Sequence, residues 1–418
     1  MKILIISSNY LCEFSGGGLG LRKIIEGLNN IDFIDEIGLI NREEINTSKC
    51  PIFFHKLKKI YFFKNNKFIN LKSKIYGEAT FLNLYWEKIK KIIDEYDILF
   101  FQGTRFGSIV KNVKSIFRNK KIIVQVENFE YKYSKIYYNN KFFLKIIQPI
   151  EMLNVKKNEY LSLYYSDIIL FLTKLDRDEI IQFYSLDKEL LFKEKSFIVP
   201  HAQKQKVSLK KIEVNLHKKI KNIIYNKELR ILFTGSFDYK PNIEAANFLL
   251  KVFNKIPNIN KKYKFILIFA GRNANKLNIK KSKNIEIYNN LNDEEMSKIF
   301  LSSDIYISPV FKGSGMKTKI AEAMSYGLPI LSSYHSIIGY DYIIENLKNI
   351  NFIKLFNDND IEDFLDNFSF LLNLIENNYA ELSYEAYNTF SEKYSIEYFS
   401  ENLKRILDTL IYNKEMNE

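Results

Sequence analysis

The 418-residue chain contains no apolar run approaching the ~18–20 residues that a membrane-spanning helix needs, and its apolar start, Ile3 to Ile6, is too short for the core of a signal peptide. A cytoplasmic protein is expected, one that meets a membrane only at its surface. Cysteine is nearly absent: Cys12 and Cys50 stand at unrelated places, with no disulfide framework and no metal-ligand spacing, as suits a reducing compartment. Histidine is sparse as well, and His55, His201, His217 and His335 form no spaced cluster, so no metal site is expected. His201, directly after Pro200, reads as structural. Acids are outnumbered, leaving a formal charge of +13. That excess fits an acidic partner such as a membrane surface or a phosphate-rich substrate. It fits equally a composition crowded with Lys, Ile and Asn throughout. Arginine is scarce on this background, so Arg22, Arg105 and Arg272, beside glycine-containing turns, carry more information than any single lysine. No recognised nucleic-acid-binding module is present, which argues against a nucleic-acid partner.

What is present is alternation. Met1–Ser7 is a short apolar run, followed by Gly16, Gly17 and Gly18 and a helical pattern through Leu28. Similar runs at 97–102, 121–126 and 167–173 each precede a helix-like segment, as in a parallel sheet covered by helices on both faces. The chain turns lysine-rich from Lys204 to Asn226. A second alternating series then begins at 229–235, continues through 265–271, 285–288, 304–309 and 328–332, and has Pro241 in a first helical turn. The expected division is a first Rossmann-like domain at 1–205, a linker at 206–226, a second domain at 227–395, and a terminal helix at 396–418 crossing back to the first. The fold class is α/β, with two doubly wound domains whose ligand sites lie at the carboxyl ends of the strands, facing a cleft.

The segment Gly313 to Met324 carries the strongest chemistry. Glycines at 313 and 315 let backbone amides approach a phosphate, and the opening of a helix adds partial positive charge. Lys317 and Lys319 in its first turn are disfavoured by the helix dipole unless an anion binds there. Glu322, just over one turn on, can accept hydrogen bonds from a vicinal diol such as a ribose. A glycine turn before a solvated helix explains the same residues.

The run from Gly313 to Ile330 resembles the donor-site signature of the family 4 glycosyltransferases, of the kind that builds bacterial surface polysaccharides. The run Leu232 to Leu249, with Gly235, is similar to their second-domain opening. The Gly16 to Gly18 loop, Ala270 to Asn273, and Ser303 to Pro309 follow in the matching order. The resemblance spans nearly the whole chain and implies a GT-B fold. It places the donor ribose on Glu322 and the diphosphate on Lys319 and the amides of Gly313, Ser314 and Gly315, with Met316 and Lys317 in the same donor-binding segment. It also brings Gly16, Gly17, Gly235 and Arg272 to the donor. A phosphate site of lysine and amides needs no divalent metal, so no cofactor is expected, and Asp176, Asp178, Asp358 and Asp360 read as solvated carboxylates.

Two positions depart from that family's pattern. Ser314 stands where the first of a glutamate pair is expected, which leaves the handling of the sugar hydroxyls open. Glu127 stands where many relatives carry histidine, and can accept the acceptor's proton, orient a hydroxyl, or form an ordinary strand-end salt bridge. Two stretches without acids, between Glu44 and Glu78 and between Glu130 and Glu151, mix lysines with aromatics. The first holds Lys56, Lys64, Lys67 and Phe68; the second holds Tyr131, Lys132, Tyr137, Tyr138, Lys141, Phe142, Phe143 and Lys145. They suit an anionic membrane surface.

The resemblance thus implies transfer of a sugar from a nucleoside-diphosphate donor to a hydroxyl of a glycan, lipid-linked in the fullest form of this reading, with retention at the anomeric carbon. Glu127 and Lys319 would act in catalysis. Two alternatives remain: a non-catalytic GT-B partner of another transferase, and a nucleotide-sugar epimerase on the same fold.

Overall fold

A computed structural model describes the chain except for residues 13–15, 44–53, 140–146, 187–189, 280–281, 314 and 416–418. It divides into two compact units, Met1–His201 with Phe399–Glu418, and Ala202–Tyr398.

The first unit is built on a seven-stranded sheet: β1 (Lys2–Ser7), β2 (Glu36–Arg42), β3 (Leu57–Phe63), β4 (Ile98–Gln102), β5 (Lys121–Val126), β6 (Ile168–Phe171) and β7 (Ser196–Ile198). Every pairing is parallel and the order is β3-β2-β1-β4-β5-β6-β7. Helices cover both faces of such a sheet, so its central strands are continuous apolar runs. Ile3 to Ile6 and Leu99 to Phe101 are fully buried. In the helix Gly16–Asn29, Leu21, Ile24, Ile25 and Leu28 bury one side at helical spacing. Edge strand β3 is different, because Lys58, Lys59 and Ile60 are exposed, which is why its sequence reads as a basic stretch.

The second unit has six parallel strands: β8 (Glu228–Thr234), β9 (Lys264–Gly271), β10 (Ile285–Asn289), β11 (Ile305–Ser308), β12 (Ile330–Ser333) and β13 (Ile353–Phe356). Their order is β10-β9-β8-β11-β12-β13. Both sheets reverse direction of strand order once, beside β1 and β4 in one and beside β8 and β11 in the other. Ligands of doubly wound sheets bind at the carboxyl ends flanking that switch, here Ser7 and Gln102, and Thr234 and Ser308.

The stretch 206–226, expected as a linker, folds as the helix Leu209–Lys221 and a π turn, Asn222–Asn226. Ile212, Leu216, Lys219 and Ile223 bury one face of it against the second core, while the remaining lysines point to solvent and mask the pattern. The buried Lys219 ammonium donates to Ser303 O and lies 3.5 Å from the Tyr379 hydroxyl. Burial pushes its pKa down to about 8, against the pull of the Asp304 charge. The terminal helix Ile396–Glu415 enters the first unit through buried Phe399, Leu403 and Leu407. Phe399 lies against Gly27, where an added Cβ would sit 2.5 Å from its ring.

Candidate functional site

In the second unit the strand ends converge at two glycines. A Cβ on Gly271, whose φ is +142°, would lie 2.0 Å from Gly235 O, so neither strand tolerates a larger residue without a shift. The following Arg272 donates from Nε to Ser236 Oγ at 2.9 Å and from Nη2 to Asp238 Oδ2 at 3.3 Å. Arg272 is more than half exposed, and the hydrogen bond from Ser236 together with the Arg272 charge lowers the Asp238 pKa.

Beyond β11 the loop carries Gly313 at φ +107° and Gly315 at φ +72°, a left-handed backbone that favours glycine. A side chain at Gly313 would also meet the Tyr239 hydroxyl at 2.6 Å. Ser314 lies outside the described residues. Lys317 precedes the helix rather than sitting in its first turn: the helix is Lys319–Ser325, and Lys317 Nζ folds back to Gly315 O at 2.8 Å and Gly313 O at 3.2 Å. Three residues, Met316 to Thr318, separate Gly315 from the helix, which the spacing alone did not reveal. Met316 is buried in the core. Lys319 Nζ pairs with Glu322 Oε2 at 2.5 Å, the lysine half-exposed and the glutamate nearly buried. The cation and the carboxylate assigned to diphosphate and ribose are thus adjacent on one helical turn.

Three residues that sequence reasoning passed over hold this loop. His335 Nε2 lies 2.8 Å from Gly313 O, and burial followed by the nearby Lys317 charge lowers its pKa. The neutral ring then donates from Nε2. Tyr340 donates to Lys317 O at 2.9 Å and accepts from Ala321 N at 2.9 Å. Gln203 Nε2 donates to Thr318 O at 3.3 Å. The pairing of β11 with β12 brings His335 beside Gly313. Reading the loops after neighbouring parallel strands together is the signal that finds it.

In the first unit a polar cluster occupies the carboxyl ends of β1, β4 and β5. Ser7 Oγ donates to Gln102 Oε1 at 2.6 Å, and Gln102 Nε2 donates to Gly17 O at 3.0 Å and to Glu127 Oε1. Asn9 Nδ2 reaches Glu127 Oε2 at 3.3 Å. Burial raises the Glu127 pKa to about 7, opposed by the bonds from Gln102 and Asn9 and reinforced by the Glu130 charge. Glu127 is thus held by the amides of Gln102 and Asn9, with a pKa raised toward neutrality. Close packing confines it, since a Cβ on Gly20 would lie 2.9 Å from Oε1 and 3.3 Å from His201 Cε1. Burial pushes His201 down to about 3, so it stays neutral. Gly16 opens the helix with space around its Cα, and Gly17 packs on the Asn9 side chain.

The remaining pointers resolve into scaffold. Arg22 Nη1 donates to Leu11 O at 2.6 Å. Arg105 pairs with Glu130 at 2.7 Å and Glu151 at 3.2 Å. Asp176 and Asp360 serve helix starts, and Asp358 Oδ1 accepts from His335 N at 3.0 Å. Among the described residues no three His, Cys, Asp or Glu side chains gather as a metal site. Cys12 is disulfide-bonded, which corrects the expectation of a chain without a disulfide; Cys50 lies outside the described residues. So do Lys141, Phe142, Phe143 and Lys145, along with the side chains of Tyr137 and Tyr138.

Two doubly wound parallel sheets in series are the GT-B architecture. The structure superposes on that of Anabaena HepE in complex with UDP with a TM-score of 0.64, covering 98% of this chain and 100% of that one at 12% identity. Residues 228–374, within the second unit, match the family model described as "Glycosyl transferases group 1". Over 352 residues, 79% of this chain and 82% of the relative, the sequence is 26% identical to an uncharacterised 44.6 kDa protein in the cps region of Klebsiella pneumoniae. It is 25% identical to an uncharacterised glycosyltransferase of Methanocaldococcus jannaschii over 340 residues, 79% of this chain and 78% of that one.

Proposed function

We propose that the chain is a glycosyltransferase that moves a sugar from a nucleoside-diphosphate donor to a hydroxyl of a growing glycan. The observation that carries this is the Lys319–Glu322 pair beside the Gly313 loop, inside the segment that matches the group 1 model. Glu322 takes the ribose diol. The amides around Gly313 and Gly315, with Lys319, take the diphosphate and stabilise the charge that develops as the C1–O bond to phosphate breaks. Lys317 and Met316 shape the loop from behind. Ser314 belongs to the same donor-binding loop, in the place where the family's pattern carries a glutamate. Gly235 and Gly271 keep the strand ends low, and Arg272 exchanges Asp238 for the nucleotide. Gly16 and Gly17 belong to the donor-closing loop of this reading.

Glu127 accepts the proton of the acceptor hydroxyl as the new C1–O bond forms, and the nucleoside diphosphate leaves with the electrons of the broken bond. No divalent metal enters the scheme. The resemblance further supports retention at the anomeric carbon and a lipid-linked acceptor on the inner membrane face during bacterial surface-polysaccharide synthesis. Because HepE was solved with UDP and with UDP-glucose, uridine nucleotides are the first donors to try. A panel of nucleotide sugars incubated with lipid-linked oligosaccharide acceptors tests the proposal. Release of nucleoside diphosphate that depends on acceptor supports it, and conversion of donor without any acceptor contradicts it.

A further inference from the structure

The helix Lys67–Ile75 of the first unit is built inside out. Its buried side chain is Ser73, whereas Phe68, Leu71 and Ile75 are 83%, 52% and 74% exposed. At 100° per residue those three fall on one face, flanked by exposed Lys72 on one side and Lys67 on the other. Local capping supports the helix at its start, since Asn66 Oδ1 accepts from Ile69 N at 2.9 Å. Polar contacts anchor it: Asn154 Nδ2 donates to Lys74 O at 2.9 Å, and Lys74 pairs with Glu151 at 3.2 Å. Both partners belong to the helix Gln148–Tyr165, which exposes Ile150, Leu153, Lys156 and Lys157.

We infer that this face is a docking surface for an anionic lipid bilayer. Phe68, Leu71 and Ile75 enter the boundary between head groups and acyl chains while the lysines beside them hold anionic head groups. Charge selects the occupant. Residues 45–77 carry eight lysines and no Asp or Glu, so a second copy of this face would bring like charge against like charge, whereas anionic lipid complements it. No helix among the described residues is long and apolar enough to cross a membrane, so the contact is interfacial. The inference rests on the reading of a lipid-linked acceptor at the inner membrane face and gives the chain's contact with that face to a particular helix.

Flotation of the full chain with phosphatidylcholine vesicles, with and without phosphatidylglycerol, tests it. Binding is expected only with the anionic lipid and is expected to weaken with salt. The combined substitutions Phe68→Ser, Leu71→Ser and Ile75→Ser, which remove only exposed apolar groups, should lower vesicle partitioning about tenfold or more. Lys67→Glu with Lys72→Glu should do the same, while Lys210→Glu with Lys218→Glu, an equal charge change in the other unit, should leave it within about twofold. Equal loss from both lysine pairs would reduce the effect to net charge and overturn the inference. So would absence of vesicle binding by the wild type, or a wild-type dimer that the apolar substitutions dissociate. Thermal stabilisation by UDP, measured on the same preparations, reports the nucleotide site separately, so failure of one reading is distinguishable from failure of the other.

Discussion

Glu127 lies on β5's carboxyl end with Gln102 and Asn9 as its donors, and its elevated pKa makes two predictions. As a proton acceptor it must be ionised, so turnover should rise with pH through about 7, and Glu127→Gln should abolish that rise along with most of the rate. Its folded pKa exceeds the ordinary 4.5, so the native state holds the proton more tightly than the unfolded chain. Its contribution to stability is therefore full at low pH and lost as pH rises between about 4.5 and about 7. Urea denaturation of wild type and Glu127→Gln across that range should show a shallower decline in the variant. At Gly313, alanine must adopt φ +107° and displace the Tyr239 hydroxyl. Such strain costs on the order of 1–3 kcal/mol. Gly313→Ala should lower the melting temperature and weaken nucleotide binding together. Unchanged binding would remove the loop from the site.

At the scale of elements, Phe399→Ala tests how the terminal helix is held. Emptying the space against Gly27 should cost about 3–5 kcal/mol, read by denaturant unfolding. A negligible change would show that the helix adds little to the first unit. Apolar runs made β1, β4, β5, β6 and most of the second sheet legible in the sequence, because strands buried on both faces leave no alternation to confuse. β3 was not legible as a strand, since its outward Lys58 and Lys59 belong to an edge and read as a basic stretch. The stretch 206–226 hid its helix in the same way, with lysines outnumbering Ile212, Leu216 and Ile223. In the candidate site, Lys319, Glu322 and the two loop glycines were readable because they are contiguous. His335 and Gln102 were not, because sheet adjacency rather than chain proximity sets their partners.

For the whole molecule, the proposed function requires that the second unit bind a nucleoside diphosphate through backbone amides, Lys319 and Glu322, without a metal. Chelation with EDTA should leave both UDP binding and transfer unchanged; loss that Mg2+ restores would place a cation in the site. The most direct measurement is calorimetric titration of UDP into the wild type and Glu322→Gln. Exchanging the carboxylate for an amide removes a charged acceptor for the ribose diol and frees Lys319. A hydrogen bond to a charged group is worth about 1.5–3 kcal/mol, so UDP should bind the wild type and bind the variant about ten- to hundredfold more weakly. Equal affinity of the two proteins, or failure of the wild type to bind any nucleoside diphosphate, would contradict it.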